Sequence, residues 1–203
     1  MIRLIGKIPR KVTVACSGGV DSMAVVNFLR AGKRKVDLAY FNHDTTHSKN
    51  AQKFLERFSS DTGLPLKIGK VRGTKGRRSL EEFWRDERYA FLDNLNSEFI
   101  ITCHHLDDVV ETWLMSSIHG NPKLIPYSRN ENIFRPFLMT EKKHLISYAT
   151  RYDVEWVEDP SNRATKNIMR NHVRHNLMPQ VLKVNPGIRS TIRKKIIEKY
   201  KNI

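Results

Sequence analysis

The chain has 203 residues, 39% of them hydrophobic and 9% aromatic, which is typical of one globular domain with a small appendage. No apolar run is long enough to cross a bilayer or to form a secretory signal, so we expect a cytoplasmic protein that does not enter the membrane. The net charge of +15 favours a polyanionic partner. Cys16 and Cys103 have neither CxxC nor zinc-ligand spacing, so we expect reduced thiols at strand ends.

Apolar runs alternate with amphipathic segments through the first half of the chain. Buried strands are predicted at residues 11–16, 36–42, 66–71 and 99–104. Helices are predicted at residues 20–30, 48–62, 79–95 and 106–117, and Ser79 and Glu82 have capping-box spacing at the third. This alternation predicts an α/β fold, a parallel twisted sheet with helices on both faces. Ligands of such sheets bind at the carboxyl ends of the strands.

The pattern is less regular after Gly120. A polar loop is expected at residues 121–130 and a short apolar segment at 133–138. Thr140 is the expected N-cap of a helix that reaches about residue 152, and residues 158–162 (EDPSN) are expected to form a loop. Two more helices are predicted at 166–177 and 186–200, with Asn185 as cap and Pro186 in the first turn. They would form a small basic C-terminal segment.

Residues 17–22 (SGGVDS) connect the first predicted strand to the first predicted helix, and we call them the phosphate loop. Glycines allow the backbone to approach an anion, and free N–H groups at a helix start attract phosphate. The hydroxyls of Ser17 and Ser22 add donors. Asp21 suits a phosphate site when a cation lies between the two charges, and Mg²⁺ is the natural bridge. The sequence therefore predicts a nucleotide site with Asp21 as a metal ligand.

The hexapeptide resembles the SGGxDS signature of the PP-loop ATP pyrophosphatases, and it lacks the lysine of a Walker motif. Enzymes of this class split ATP between the α and β phosphates, giving an adenylylated acceptor and pyrophosphate. The resemblance implies ATP and Mg²⁺ as cofactors. It implies that the ATP or pyrophosphate is bound by Ser17, Gly18, Gly19, Val20, Asp21 and Ser22.

Four further segments resemble motifs of one PP-loop family, the tRNA(Ile)-lysidine synthetases. They are residues 104–112 (HHLDDVVET), 81–89 (EEFWRDERY), 135–138 (RPFL), and 158–162 followed by 170–174 (RNHVR). Order and spacing agree from about residue 11 to residue 180. The resemblance implies a PP-loop ATP pyrophosphatase domain at residues 1–130. Residues 131–203 would complete the catalytic domain and carry a basic helical tail for tRNA.

The resemblance implies a two-step reaction. ATP adenylates the wobble cytidine of a CAU-anticodon isoleucine tRNA, and the amine of free lysine then displaces AMP to give lysidine. The implied partners are therefore this tRNA and free lysine.

Acidic residues on the helix after the fourth strand are candidates for this chemistry. Asp108 and Glu111 are three residues apart, so they share a face and can hold an ammonium group, Mg²⁺ or both. By resemblance, Asp108, Glu111 and Arg85 bind the lysine substrate, and His43 and His104 contact the nucleotide. The candidate catalytic residues are Asp21, Arg85, Asp107, Asp108 and Glu111.

Positive charge is concentrated near the C-terminus. Residues 163–203, the basic tail, contain eleven Lys and Arg and one acid, and residues 70–78, the basic loop, contain five cations. Such asymmetry predicts contacts with nucleic-acid phosphates. The candidate tRNA-binding residues are Arg170, Asn171, Arg174, Arg189, Arg193, Lys194 and Lys195. We expect a compact form, without the additional C-terminal domains of many relatives, that grips tRNA with this tail, and dimerisation is a further option.

Two alternatives stay open. Val109 stands where the family motif has glutamine, and residues 121–126 differ from the usual glycine-rich loop. These departures are compatible with a catalytically inactive module that binds ATP and tRNA. The other alternative is a different PP-loop tRNA-modifying enzyme of the thiolase kind, although the chain lacks the CxxC cysteines that two-thiocytidine enzymes use for a cluster.

Overall fold

The computed structural model describes residues 1–158 and 169–203. Within them lies one six-stranded sheet of order β3-β2-β1-β4-β6-β5. The strands are β1 (Lys11–Ala15), β2 (Lys35–Asn42), β3 (Leu66–Lys70), β4 (Ile100–Thr102), β5 (Ser128–Arg129) and β6 (Ile133–Phe134). All neighbours pair in parallel except β5, which runs antiparallel to β6 at the edge. The predicted α/β fold with a mostly parallel sheet is confirmed.

Helices connect the strands and continue beyond the sheet. The first five are α1 (Val20–Ala31), α2 (Thr46–Thr62), α3 (Leu80–Asp93), α4 (Leu106–Ile118) and α5 (Lys142–Arg151). The C-terminal ones are α6 (Met169–His172), a π-helical segment (Val173–Leu177), α7 (Met178–Val184) and α8 (Ile188–Lys199). In the described ranges, no helix combines the length and the apolar character needed to cross a membrane.

Side chains on successive strand positions point to opposite faces of the sheet, and each face is covered. Val14, Leu38 and Ile101 pack with α1, α2 and α5 in the main core. Their neighbours Ala39 and Ile100 pack on the other face against Tyr89 and Leu92 of α3. The expectation of helices on both faces is therefore confirmed, and α3 is held where its polar side can face the carboxyl ends of the strands.

A second apolar cluster joins α4 to the C-terminal helices. It contains Leu106, Val109 and Val110 of α4 and Ile188, Ile192 and Ile196 of α8. Val109 is fully buried in this cluster, so the position at which the family motif has glutamine points into the core here. A buried amide would need hydrogen-bond partners, whereas valine needs none. Valine in place of glutamine at this position therefore leaves the side chains that face the cleft unchanged.

Cys16 and Cys103 are free thiols, as expected. Burial raises the pKa of both, so neither is a ready nucleophile. The Ser79 cap is also confirmed, because its hydroxyl accepts the backbone N–H of Glu82 at 3.1 Å.

Two other predicted caps are wrong. The N-cap of α5 is Glu141, because the Thr140 hydroxyl donates to the backbone carbonyl of Arg3 instead. The N-cap of α8 is Gly187, and the Asn185 side chain accepts the Gly187 N–H before the helix begins.

The helix predicted at residues 166–177 continues beyond residue 177 in the structure. Residues 166–168 lie outside the described residues, as do residues 159–162 of the expected loop. From Met169 the chain stays helical as far as Val184, through the π-helical segment and past Pro179. A proline inside an α-helix lacks its N–H and clashes with the carbonyl four residues earlier. The wider π turn before Pro179 relieves this conflict.

The expected division at residue 130 falls between two paired strands. Arg129 of β5 pairs with Ile133 of β6, and β6 belongs to the same sheet as β1. Helix α5 packs on α1 in the main core through Leu145 and Ala149. In the described ranges, β6 and α5 are thus part of the same sheet and core, and the helices from Met169 onwards pack on α4 in the second apolar cluster.

Candidate active site

The strand order reverses between β1 and β4, the two central strands. β1 leads into α1 on one side, and β4 leads into α4 on the other. The carboxyl ends of such a pair open a crevice where α/β sheets bind ligands. The phosphate loop and the start of α4 both lie at this crevice, as the sequence predicted.

The phosphate loop presents its backbone to the crevice. Gly18 has a φ of +80°, and an added Cβ would lie 3.0 Å from Cγ2 of Val157. The Ser22 hydroxyl donates to the Gly19 carbonyl at 2.9 Å, which fixes the turn. Among the described residues, no side chain caps the first turn of α1, whose N-cap is Gly19. The first N–H groups of α1 and the positive end of its dipole therefore suit a phosphate.

Asp21 joins the phosphate loop to α4. Its Oδ2 lies 3.6 Å from Nε2 of His105 and 3.4 Å from Nζ of Lys142. Burial alone would raise the pKa of Asp21, but the hydrogen bond and charge of His105, together with Lys142, hold it below its ordinary value. Asp21 is therefore ionised at neutral pH. Its Oδ1 is buried with no hydrogen-bond partner in the described part of the chain.

The two histidines that end β4 have different environments. His105 is the N-cap of α4. Its Nδ1 accepts the backbone N–H of Asp108 at 3.3 Å, and Asp108 Oδ2 accepts the backbone N–H of His105 at 2.9 Å. Burial opposes its charge, but Asp108 and Asp21 raise its pKa. Burial lowers the pKa of His104 to about 3, so this ring is neutral. His104 Nδ1 lies 3.1 Å from the Thr102 hydroxyl.

The carboxylates expected to bind lysine contact two arginines of the expected tRNA-binding set. Arg170 donates to Glu111 at 3.1 Å and to Asp108 at 3.2 Å. Arg174 donates twice to Glu111, at 2.7 and 2.9 Å. Burial opposes ionisation of Asp108, but His105 and Arg170 hold its pKa well below the usual range. The structure thus brings the two predicted groups together as one partly buried ion-pair network.

Asp107 holds three helices in place. Its Oδ2 accepts the backbone N–H of Lys142 at 2.8 Å, and its Oδ1 accepts from Nε of Arg189 at 2.8 Å. These bonds join α4 to the start of α5 and to α8. The arrangement positions Lys142 beside Asp21, and it engages Arg189 within the protein.

Arg85 and His43 lie on the far side of the crevice, towards β2 and α3. Arg85 is exposed, with its guanidinium 5.8 Å from the ring centroid of Tyr89. The His43 ring packs between Phe41 and Trp84, with both centroid distances at 5.1 Å. Trp84 was not among the predicted site residues, although its position next to Arg85 in the motif helix was a usable signal.

The remaining candidates of the basic tail divide into two groups. Asn171 is buried, and the Arg193 side chain is only 14% exposed and donates to Glu141 at 2.7 Å. Lys194 and Lys195 are exposed on α8. A phosphate can therefore reach the two lysines directly, whereas Arg193 would first have to leave Glu141.

Three polar residues near the site were not predicted. Lys142 approaches Asp21 from α5, and no local pattern signals this long-range contact. Arg88 follows Arg85 by three residues, a spacing that places both on one helix face and could have been used. Arg135 is 3% exposed and donates to the Tyr89 hydroxyl at 3.0 Å.

One carboxylate near the phosphate loop is suited to a nucleotide-bound magnesium ion. In the described residues no group of three or more His, Cys, Asp and Glu could hold a metal. Magnesium bound with phosphates needs only one or two carboxylates, since phosphate oxygens and water supply the other ligands. The ionised Asp21, with its unpartnered buried Oδ1 beside the phosphate loop, meets that requirement.

Fold and site together define an α/β protein with a phosphate-binding turn at the switch point of its sheet. The sequence matches the PP-loop domain family over residues 3–181, and the chain belongs to that family. It is 33% identical over 199 residues to a tRNA(Ile)-lysidine synthase of Persephonella marina, covering 90% of this chain and 44% of that protein. A tRNA(Ile)-lysidine synthase of Legionella pneumophila strain Paris is 31% identical, with 90% and 45% covered. The chain thus spans less than half the length of these curated relatives.

A solved structure shares the fold. The NH3-dependent NAD synthetase of Campylobacter jejuni aligns with 97% of this chain and 87% of its own, with a TM-score of 0.50 and 16% identity. At this identity the likeness concerns the fold alone.

Proposed function

We propose that the chain catalyses ATP-dependent formation of lysidine on a CAU-anticodon isoleucine tRNA. The observation that carries the proposal is the link from the phosphate loop to the paired carboxylates of α4. Asp21 contacts His105, and His105 exchanges hydrogen bonds with Asp108 across the β1–β4 crevice. An activated phosphate and an amine held at these two places would meet the same substrate base. The relatives named tRNA(Ile)-lysidine synthase support this substrate.

In the first step the cytidine O2 attacks the α-phosphorus of ATP, and pyrophosphate leaves. The loop N–H groups and the dipole of α1 would bind the phosphates, and Asp21 would hold Mg²⁺, which neutralises charge on the leaving group. Lys142, 3.4 Å from Asp21, adds a cation at the same place. His43, which follows β2, and Trp84 of α3 offer aromatic surface for the adenine.

In the second step the lysine ammonium group releases a proton to water, the neutral amine attacks C2 of the base, and AMP leaves with the oxygen. Asp108 and Glu111 would hold the ammonium group as counter-ions. Because the pKa of Asp108 is well below the usual range, this carboxylate suits binding of a cation better than proton abstraction. Arg170 and Arg174 occupy the two carboxylates, so lysine must exchange with these guanidiniums. Arg85, exposed on α3, is available to the lysine carboxylate.

The test measures pyrophosphate release and incorporation of labelled lysine with Mg-ATP and a CAU-anticodon isoleucine tRNA transcript. We expect release that requires the tRNA, and incorporation that requires both ATP and lysine. Asp21→Ala should lose both activities. Release without lysine incorporation would move the proposal to another nucleophile, and sulfur incorporation would indicate a thiolase. Binding of ATP and tRNA without any release would indicate an inactive module.

A further inference from the structure

Four arginines surround the side chain of Tyr89, and we call them the arginine cluster. Arg135 donates to the Tyr89 hydroxyl, and Arg129 lies 4.1 Å from the ring centroid. Arg88 and Arg85 lie 5.5 and 5.8 Å from the same centroid. The cluster draws on α3, β5 and the residue after β6, so the fold assembles it from three separate parts of the chain.

Within residues 1–158 and 169–203, no carboxylate forms an ion pair with any member of the cluster. Other arginines of the protein do have acidic partners: Arg57 pairs with Glu155, Arg78 with Asp86, and Arg193 with Glu141. Two acids of α3 have other partners, since Asp86 pairs with Arg78 and Glu87 accepts the backbone N–H groups of Arg72 and Gly73. Four positive charges are therefore concentrated without an internal counter-ion.

The cluster is partly buried, which makes the missing counter-ion more unfavourable. Arg135 is 3% exposed, and Nε of both Arg129 and Arg135 is buried without a hydrogen-bond partner in the described residues. Burial and the charges of Arg85, Arg170 and Arg135 lower the pKa of Arg88. Concentrated, desolvated positive charge of this kind is stabilised by a bound anion.

Its position separates the cluster from the phosphate loop. β4 lies between β1, which precedes that loop, and the β6–β5 pair. Arg129 lies on β5, and Arg135 directly follows β6. The charge of Arg170, next to the α4 carboxylates, acts on Arg88. Arg129 and Arg135 therefore lie beyond β4 from the phosphate loop, and Arg88 is near enough to Arg170 for the two charges to interact.

We propose that Arg88 and Arg129, supported by Tyr89 and Arg135, bind backbone phosphates of the RNA next to the nucleotide being modified. The inference rests on the proposed function and names a surface for its substrate. Two phosphates on consecutive nucleotides match several guanidinium forks, whereas one lysine carboxylate would neutralise a single arginine. ATP phosphates have their own site at the start of α1. The surface is independent of the exposed lysines of α8.

The test compares the double variant Arg88→Gln/Arg129→Gln with a matched control, Arg10→Gln/Arg151→Gln. The control removes two exposed cations, and Arg151 also lies against a tyrosine, 5.5 Å from the ring centroid of Tyr152. Binding of the tRNA transcript is measured between 50 and 300 mM KCl, values of the order at which phosphate contacts dominate. The KM values for ATP and lysine are measured at saturating tRNA.

We expect the double variant to bind tRNA at least about tenfold more weakly and to lower the slope of log K against log salt by about one to two. The control should keep the wild-type slope, and KM for ATP and lysine should not change. An unchanged slope overturns the inference. So does a rise in KM for lysine or for ATP with normal tRNA binding, which would assign the cluster to that substrate.

Two further results separate the inference from the proposed function. If wild-type protein binds and modifies tRNA while the double variant binds normally, the inference fails and the function stands. If wild-type protein neither binds nor modifies tRNA, both fail. Thermal unfolding checks the fold of each variant, and Arg129→Gln alone, at an edge strand, gives the test if the double variant is unfolded. Compared with Arg129→Gln, Arg129→Lys should recover part of the salt slope of tRNA binding, because lysine keeps the positive charge.

Discussion

The guanidinium of Arg174 makes two hydrogen bonds to the carboxylate of Glu111, at 2.7 and 2.9 Å. Glu111 is 3% exposed and the Arg174 side chain is 24% exposed, so water reaches the pair mainly from the arginine side. Burial opposes the charge of Arg174, but Glu111 and Asp108 raise its pKa. A buried carboxylate expected to bind the substrate amine thus already has a cation of the protein.

Removing the charge of Glu111 should destabilise the protein. In Glu111→Gln, Arg170 and Arg174 lose their main anionic acceptor. Breaking a buried ion pair typically lowers the free energy of unfolding by about 3–5 kcal/mol. Chemical denaturation measures the coupling energy between Glu111 and Arg174 when it is applied to the wild type, Glu111→Gln, Arg174→Gln and the double variant. We expect a coupling of about 1–3 kcal/mol between the two sites. Additive effects would show that the bidentate contact contributes nothing to stability.

Gly18→Ala should impair the phosphate loop. Alanine at a φ of +80° is strained, and its Cβ would lie 3.0 Å from Val157. We expect a loss of about 1–2 kcal/mol in unfolding free energy and at least a tenfold loss of ATP affinity. Gly63→Ala is the control, since Gly63 has a φ of +68° and open space around its Cβ position. The control should lose unfolding free energy through backbone strain, but calorimetry should show unchanged ATP binding.

Glu141 should make stability sensitive to acid. Burial would raise its pKa, but Lys143 and Arg193 lower it from 4.5 to about 2. A carboxyl whose folded pKa is lowered stabilises the protein above its unfolded pKa, and this contribution disappears as pH falls through the folded pKa. Glu141→Gln should therefore be about 1–2 kcal/mol less stable at pH 7. The difference should shrink between pH 4.5 and 2. A difference independent of pH would contradict this account.

The basic tail should show a division between phosphate contacts and internal contacts. Lys194→Gln/Lys195→Gln removes two exposed cations, so we expect weaker tRNA binding, a salt slope lower by about one to two, and unchanged thermal stability. Arg193→Gln should instead lower thermal stability, because Glu141 loses its partner. Filter binding and thermal unfolding of both variants test the division. Equal effects of the two variants on the salt slope would argue against it.

Sequence patterns predicted the elements whose signals are local. The strand–loop–helix unit at residues 11–30 and the Ser79 cap depend on neighbouring residues, and both are present. The contacts of Arg170 and Arg174 with α4 join residues about sixty positions apart, and no periodicity specifies such a partner. Thr140 shows the same limit at a helix end, where a tertiary bond to Arg3 overrides a favourable cap residue.

The π-helical segment has a consequence for how this region tolerates changes in length. A π turn contains about one residue more than an α turn, so removing one residue from Val173–Leu177 could restore regular α-helical winding. Since the extra residue is taken up within the π turn, the helical segments on either side would keep nearly the same orientation after its removal, whereas the loss of one residue from a regular α-helix rotates everything beyond it by about 100°. The apolar side of α7 would therefore still face α4. A single-codon deletion here would instead bring back the conflict at Pro179 that the wider turn relieves, so it would lower stability without turning α7 away from α4.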